Sequence, residues 1–262
     1  MSFKIPTSEE ILEISPTSNL KVVIRDSKCW YVKTSSDILR PYLGYLLGRS
    51  ICNIAETSLL SNEEVTELKT LLSLPIDSCI TNTFLVRIAS SHKLEELPCQ
   101  TIEKAVATEL VYSVWIRRRD THADNREYIT AGIPVFYDFH IAFLAENNWI
   151  HSTLFFKDSP DYGHPPSWRV KEVSETITTE RARNVITPGN KAWHYVNSIE
   201  NFRQELAFAE ESVKRLAESD IYSVVTSAGF NNQWAGIITD FLKRNLITLN
   251  SDVEEMKKII FQ

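Results

Sequence analysis

Glycine is scarce: 7 in 262 residues, about 2.7%, against a usual share of about 7%. The first is Gly44, so a Gly-rich phosphate loop is excluded from the first 43 residues. Cysteine is sparse too. Cys29, Cys52, Cys79 and Cys99 stand far apart with no CxxC pair, which argues against a disulfide framework or a Cys-rich zinc site. Reduced thiols in a cytosolic protein are the simplest reading. No apolar run approaches the roughly 20 residues that cross a bilayer. The opening MSFKIPTSEEILEISPTSN lacks the basic-then-apolar order of a secretory signal, so a cytoplasmic location is expected. Positive charge is not in excess either. With 28 Lys and Arg against 34 Asp and Glu, the net charge is −6, which gives no chain-wide attraction to nucleic acid or to an anionic membrane. Neither is expected as a partner.

What is present is ordinary globular composition, 43% hydrophobic and 24% charged. A chain of this length buries roughly three quarters of its extended surface and needs no metal or disulfide staple. After a small loop, Ser15-Pro16-Thr17-Ser18-Asn19, short strands are predicted over 20–24 and 29–34, joined by Arg25-Asp26-Ser27-Lys28. A helix is predicted over 37–48, with Pro41 in its tolerant first turns. Ser61-Asn62-Glu63-Glu64 resembles a capping box that opens a second helix running toward Leu74. A strand over 83–89 follows.

The clearest helix is 101–117, where Ile102, Val106, Leu110 and Val114 recur every fourth residue. Beyond it, 119–125 reads as a polar loop. Strands over 127–130 and 133–137 are linked by Ala131-Gly132, and residues 158–190 read as a long loop region. Three helices close the chain, over 199–218, 231–245 and 251–260. The pattern predicts an α+β fold with two unequal lobes and a boundary near residues 90–100. The three arginines Arg117, Arg118 and Arg119 complement the dipole at a helix end, and Arg119 braces the loop that follows.

The informative segment is Arg119-Asp120-Thr121-His122-Ala123-Asp124-Asn125, followed by Ile133-Pro134-Val135-Phe136-Tyr137-Asp138-Phe139. Asp120 and Asn125 are five residues apart on one polar loop, and Asp138 ends a hydrophobic strand 13 residues after Asn125. Phosphoryl transfer needs such a set: one carboxylate orients the acceptor hydroxyl, while an amide oxygen and a second carboxylate hold magnesium. Hard oxygen donors suit Mg²⁺, which uses few protein carboxylates.

This stretch resembles the catalytic and metal-binding loops of the atypical kinases of the HipA-like and phosphatidylinositol-kinase group. There a D-x-H-x-x-N loop precedes a strand that ends in an Asp-Phe pair. Asp120, His122 and Asn125 match the first motif, and Phe136-Tyr137-Asp138-Phe139 the second, 18 residues from Asp120 to Asp138. The resemblance implies a bilobal protein-kinase-like fold: a small β-containing N-lobe over 1–92 and a larger, mainly helical C-lobe over 93–262. It implies ATP and Mg²⁺ as cofactors and transfer of phosphate to a Ser/Thr hydroxyl of a protein substrate. Asp120, His122 and Asn125 become the candidate catalytic residues, with Asn125 and Asp138 as metal ligands. Trp30-Tyr31-Val32-Lys33 resembles the strand whose lysine contacts the nucleotide phosphates. Thr17, Ser18 and Asn19 then form the phosphate-contacting loop, Ser-containing as in this branch of kinases. Asp37, in the helix after the lysine, stands where a Glu usually orients it. Residues 227–230 and 234–244 resemble the closing helices of HipA-like kinases, which end in an Arg-rich turn.

Two departures support an alternative reading. Asp37 replaces a Glu, and His140 stands where a glycine usually follows the Asp-Phe pair. The alternative is a pseudokinase-type, nucleotide-binding interaction module; a small-molecule phosphotransferase is another within the enzyme class.

Overall fold

A run of short, β-branched and aromatic segments in the first third of the chain pairs into one antiparallel sheet. Its strands are β1 (Ile11–Pro16), β2 (Leu20–Ile24), β3 (Lys28–Thr34), β4 (Glu56–Leu59) and β5 (Thr83–Ile88), in the order β1-β2-β3-β5-β4. The computed structural model describes residues 7–16, 20–24, 28–34, 38–52, 54–73, 83–88, 99–116, 118, 126–128, 134–136, 139 and 199–260. The chain is an α+β protein.

Strands β2, β3 and β5 match their predicted positions. Two strands do not follow from the local pattern. Ser15 and Pro16, expected in a loop, end β1 and pair with Lys21 and Leu20. β1 lies at the sheet edge, where a proline removes no ladder bond that the fold needs. β4, only four residues, is held by pairing with β5, Leu59 opposite Phe84, and by the Arg49 guanidinium, which donates to the Thr57 carbonyl at 2.6 Å and to its hydroxyl at 2.7 Å.

Two helices lie between the strands in sequence. Helix α1 (Leu39–Gly48) follows β3, and α2 (Asn62–Leu71) follows β4. The capping box of α2 is present: the Glu64 amide donates to the Ser61 hydroxyl, and the Ser61 amide donates to the Glu64 carboxylate at 2.7 Å. A side chain does not cap α1.

The second half of the core is helical. Every residue of α3 (Cys99–Ile116) from Val106 to Ile116 is buried, so the four-residue stripe understates its environment. Around it pack α4 (Ile199–Glu218) and α6 (Asn232–Ile260), with the short α5 (Ile221–Ser227) between them in sequence and in contact with α6. The Trp115 indole N–H donates to the Leu242 carbonyl at 3.0 Å, and the Asn245 amide donates to the Trp115 carbonyl at 2.9 Å. These bonds join α3 to α6 in the interior.

Two expectations are corrected here. Helices 231–245 and 251–260 are one continuous α6 of 29 residues, and the Arg-rich turn expected at Lys243-Arg244 is mid-helix. Asn245, Asn250 and Asp252 are poor helix formers, but their side chains serve the tertiary structure. Asn245 binds Trp115, Asn250 donates to Glu210 at 3.0 Å, and Asp252 is buried and accepts from Thr248. Helix α5, with its Asp220 N-cap accepting from the Ser223 amide at 3.1 Å, was not anticipated.

One hydrophobic cluster unites α1 with α3, α4, α5 and α6. Helix α1 belongs to the first part of the chain in sequence and packs in this cluster with the helices of the second. Among the described residues, no helix is long and apolar enough to cross a membrane.

Candidate active site

Where the two motif segments approach described residues, they converge. Strands β6 (Arg126–Tyr128) and β7 (Pro134–Phe136) pair antiparallel, with Arg126 opposite Phe136. Arg126 immediately follows Asn125 in sequence, and Phe136 is two residues before Asp138. One rung of the ladder thus pairs a residue next in sequence to Asn125 with one two positions before Asp138. Rungs of this kind hold Cα atoms about 4.5–5.5 Å apart.

A second contact joins the same two segments from behind. Phe139, the residue after Asp138, is buried, and the Arg118 guanidinium lies over its ring at 4.4 Å from the centroid. Arg118 precedes Asp120 by two residues. Its amide donates to the Ser113 carbonyl at 2.8 Å, a five-residue turn that follows the last turn of α3. Phe139 also meets Tyr45 of α1 edge-on at 4.7 Å between centroids, and Tyr112 of α3 at 5.9 Å. Gly44 permits this packing: a Cβ built there would stand 2.9 Å from the Phe139 Cβ. Contacts of this type contribute about 0.5–1.5 kcal/mol per aromatic pair, and cation–π contacts about 2 kcal/mol when desolvated.

Arg118, expected to complement the dipole at a helix end, is fully buried. A buried guanidinium needs a counter-charge, and the Glu109 carboxylate supplies it at 2.7 Å with both side chains almost wholly excluded from solvent. The sequence held a signal for this pair. Glu109 is the sole acid between Ala105 and Ile116, in a run otherwise nearly apolar, and a charge there demands a partner.

The field of this pair reaches its neighbours. Burial pushes the Cys52 thiol well above its ordinary value, with Glu109 adding to the rise and Arg118 opposing it. Burial likewise raises the Tyr112 phenol, with Cys52 adding, and Arg118 and the Gly48 backbone opposing. The Tyr112 hydroxyl donates to the Gly44 carbonyl, which ties α3 to α1 at the level of Phe139.

Of the sequence-predicted residues, Lys33 lies on β3 opposite Phe84 of β5, in the middle strand of the sheet. Two positions earlier on that strand, Tyr31 packs against the main core. Thr17, Ser18, Asn19, Asp37, Asp120, His122, Asn125 and Asp138 lie outside the described residues. Thr17, Ser18 and Asn19 connect Pro16 to Leu20, which are paired across the β1–β2 hairpin. Among the described residues, no group of three His, Cys, Asp or Glu side chains is arranged to hold a metal ion. No family model matches the chain, and no curated protein matches it.

Proposed function

We propose that this chain is an ATP- and Mg²⁺-dependent kinase of the HipA-like type, bilobal in architecture, that phosphorylates a Ser/Thr hydroxyl of a protein. The observation that carries the reading is the convergence of Arg118, Arg126, Phe136 and Phe139, which flank the D-x-H-x-x-N loop and the Asp-Phe pair. Eighteen residues separate Asp120 from Asp138 in sequence, and two independent contacts hold the flanking chain together. The sheet adds support: a short hairpin connection, then a strand bearing Lys33, then a helix, in the order that the resemblance requires.

In this reading, Asp120 orients the acceptor hydroxyl and takes its proton, and His122 steadies the loop by hydrogen bonding. The amide oxygen of Asn125 and the carboxylate of Asp138 fit Mg²⁺ by donor chemistry. Magnesium, when bound, neutralises the phosphate charge. Lys33 and the hydroxyl-bearing residues Thr17 and Ser18 with Asn19 contact the phosphates. Catalysis then rests on positioning and charge neutralisation, because phosphoryl transfer leaves the protein little covalent work. The pseudokinase alternative rests on Asp37 and His140.

Nucleotide affinity of the purified chain, with and without Mg²⁺, and labelled-phosphate transfer to Ser/Thr peptides and to itself test the proposal. Asp138→Asn is expected to lose the Mg²⁺-dependent part of ATP affinity. Asp120→Ala is expected to keep it while transfer falls about 10²–10⁴-fold. Unchanged Mg·ATP binding in Asp138→Asn overturns the metal assignment. Nucleotide binding by wild type without transfer to any acceptor favours the interaction module.

A further inference from the structure

Helix α6 buries one side and exposes the other. Leu242, Asn245, Leu249 and Val253 lie in the core, while Asp240, Lys243, Ile247, Asn250 and Glu254 face outward. Ile247 is 82% exposed, more than any other large hydrophobic side chain among the described residues. A single exposed apolar residue is ordinary; its setting here is not. The outer side is a double stripe: Asp240, Ile247 and Glu254 at seven-residue steps, and Lys243, Asn250 and Lys257 at the same steps three positions later. Residues seven apart return to nearly the same side of a helix, drifting only about 20° per heptad. An acid, an apolar residue and an acid thus run beside a base, an amide and a base.

We propose that this stripe is a self-association surface, on which a second copy of the chain lays its own α6 antiparallel. One register satisfies every layer. With Ile247 level with the second copy's Asn250, Asp240 meets Lys257 and Lys243 meets Glu254, and the two-fold axis repeats each contact. The two Ile247 side chains then stand three residues apart along the seam, about 4.5 Å, and shield one another from water. Like charge opposes the other arrangements. A parallel pair in register sets Asp240 on Asp240 and Lys243 on Lys243, and an antiparallel pair centred on Ile247 sets Asp240 on Glu254. Charge patterns of this kind select register and partner more than they add affinity. Part of the surface is ordered in advance: Lys257 donates to Glu254 of its own helix at 2.7 Å, and Asn250 donates to Glu210 of α4 at 3.0 Å. Side chains already held lose less freedom on pairing. From Asp240 to Lys257 the stripe is about 26 Å long and one helix wide, well below the roughly 800 Å² per partner of a standard interface. The dimer is therefore weak and sensitive to salt.

Analytical sedimentation of the purified chain over a concentration series tests the surface. Wild type is expected to show a reversible monomer–dimer equilibrium at low salt that shifts toward monomer at about 1 M salt, where the screening length falls to about 3 Å. Lys243→Glu alone and Glu254→Lys alone each bring like charges together twice in the dimer, and each is expected to weaken it by at least about tenfold. Mixed in equal amounts, the two variants again set opposite charges at both contacts, and dimerisation is expected to return to the wild-type level. Ile247→Ser is expected to weaken the dimer and leave its salt dependence in place. All three positions are exposed, so each variant should fold within about 0.5 kcal/mol of wild type, which melting checks. A wild type that stays monomeric throughout overturns the proposal and leaves the face to a helix of another protein. Association that survives all three variants overturns it as well, because the contact then lies elsewhere. Weakened single variants that show no rescue on mixing overturn the antiparallel pairing, and the proposal with it.

Discussion

Helices α1 and α2 have ten residues each, both lie in sequence between strands of one sheet, and they are held in different ways. In α2 the stabilising features are local: a complete capping box, Glu63 and Glu64 in the first turn, Lys69 in the last, and only Val65 and Leu68 buried. Those charges complement the helix dipole. In α1 nothing local does this work. Its N-cap is Ile38 without a side-chain cap, its terminal turns carry no favourable charge, and seven of its ten residues are buried, two of them glycines. Glycine in a helix interior costs about 1 kcal/mol relative to alanine. Tertiary contact must outweigh that, and the contacts are those behind the candidate site: Tyr45 and Gly44 on Phe139, and the Gly44 carbonyl on Tyr112. The less autonomous helix is the one that packs against Phe139.

The contrast predicts a graded set of effects. The largest is at Leu43, 1% exposed on α1. Leu43→Ala should cost about 2–5 kcal/mol in urea unfolding. A loss no greater than that of α2's cap would break the comparison. Gly44→Ala comes next. Helix propensity favours it, but the new methyl meets the Phe139 Cβ, which cannot swing away as a side-chain tip can. Overpacking of about 1–3 kcal/mol should win, seen as a lower melting temperature.

Alkaline pH sharpens the same contrast. Cys52 and Tyr112 have folded pKa values raised above their ordinary 9.0 and 10.0. The fold therefore holds them neutral, while the unfolded chain releases their protons. Their contribution is complete below about pH 9 and is lost as pH rises, by up to about 1.4 kcal/mol per pH unit for each group. Denaturation midpoints measured across this range should fall, and Cys52→Ala should flatten the first part of the fall. An unchanged slope in that variant would show that the thiol is not held neutral by burial. The smallest effect is Ser61→Ala on α2, about 1 kcal/mol, with the loss confined to that helix in amide exchange.

The legible features are those written in neighbouring residues. Strands β2, β3 and β5, the Ser61 box and the span of α4 follow from alternation, capping chemistry and helical period. The D-x-H-x-x-N segment is read from its resemblance to kinase loops, and Asp120, His122 and Asn125 lie outside the described residues. The illegible ones depend on partners distant in sequence. β4 exists because it pairs with β5, Leu59 opposite Phe84, and α6 runs through Asn245 because Trp115 accepts its amide hydrogen 130 positions away.

By itself, then, the order of residues determined where chain can pair or coil locally, and it carries the resemblance on which the kinase proposal rests. It also marked Glu109 as a charge in need of a partner. Only the tertiary structure decided that the partner is Arg118, that Arg118 stacks on Phe139, and that α1 shares a core with the C-terminal helices. The reason is physical. Period and capping act over a few residues, whereas burial of a charge or an aromatic ring is settled by whatever surface the whole fold brings against it.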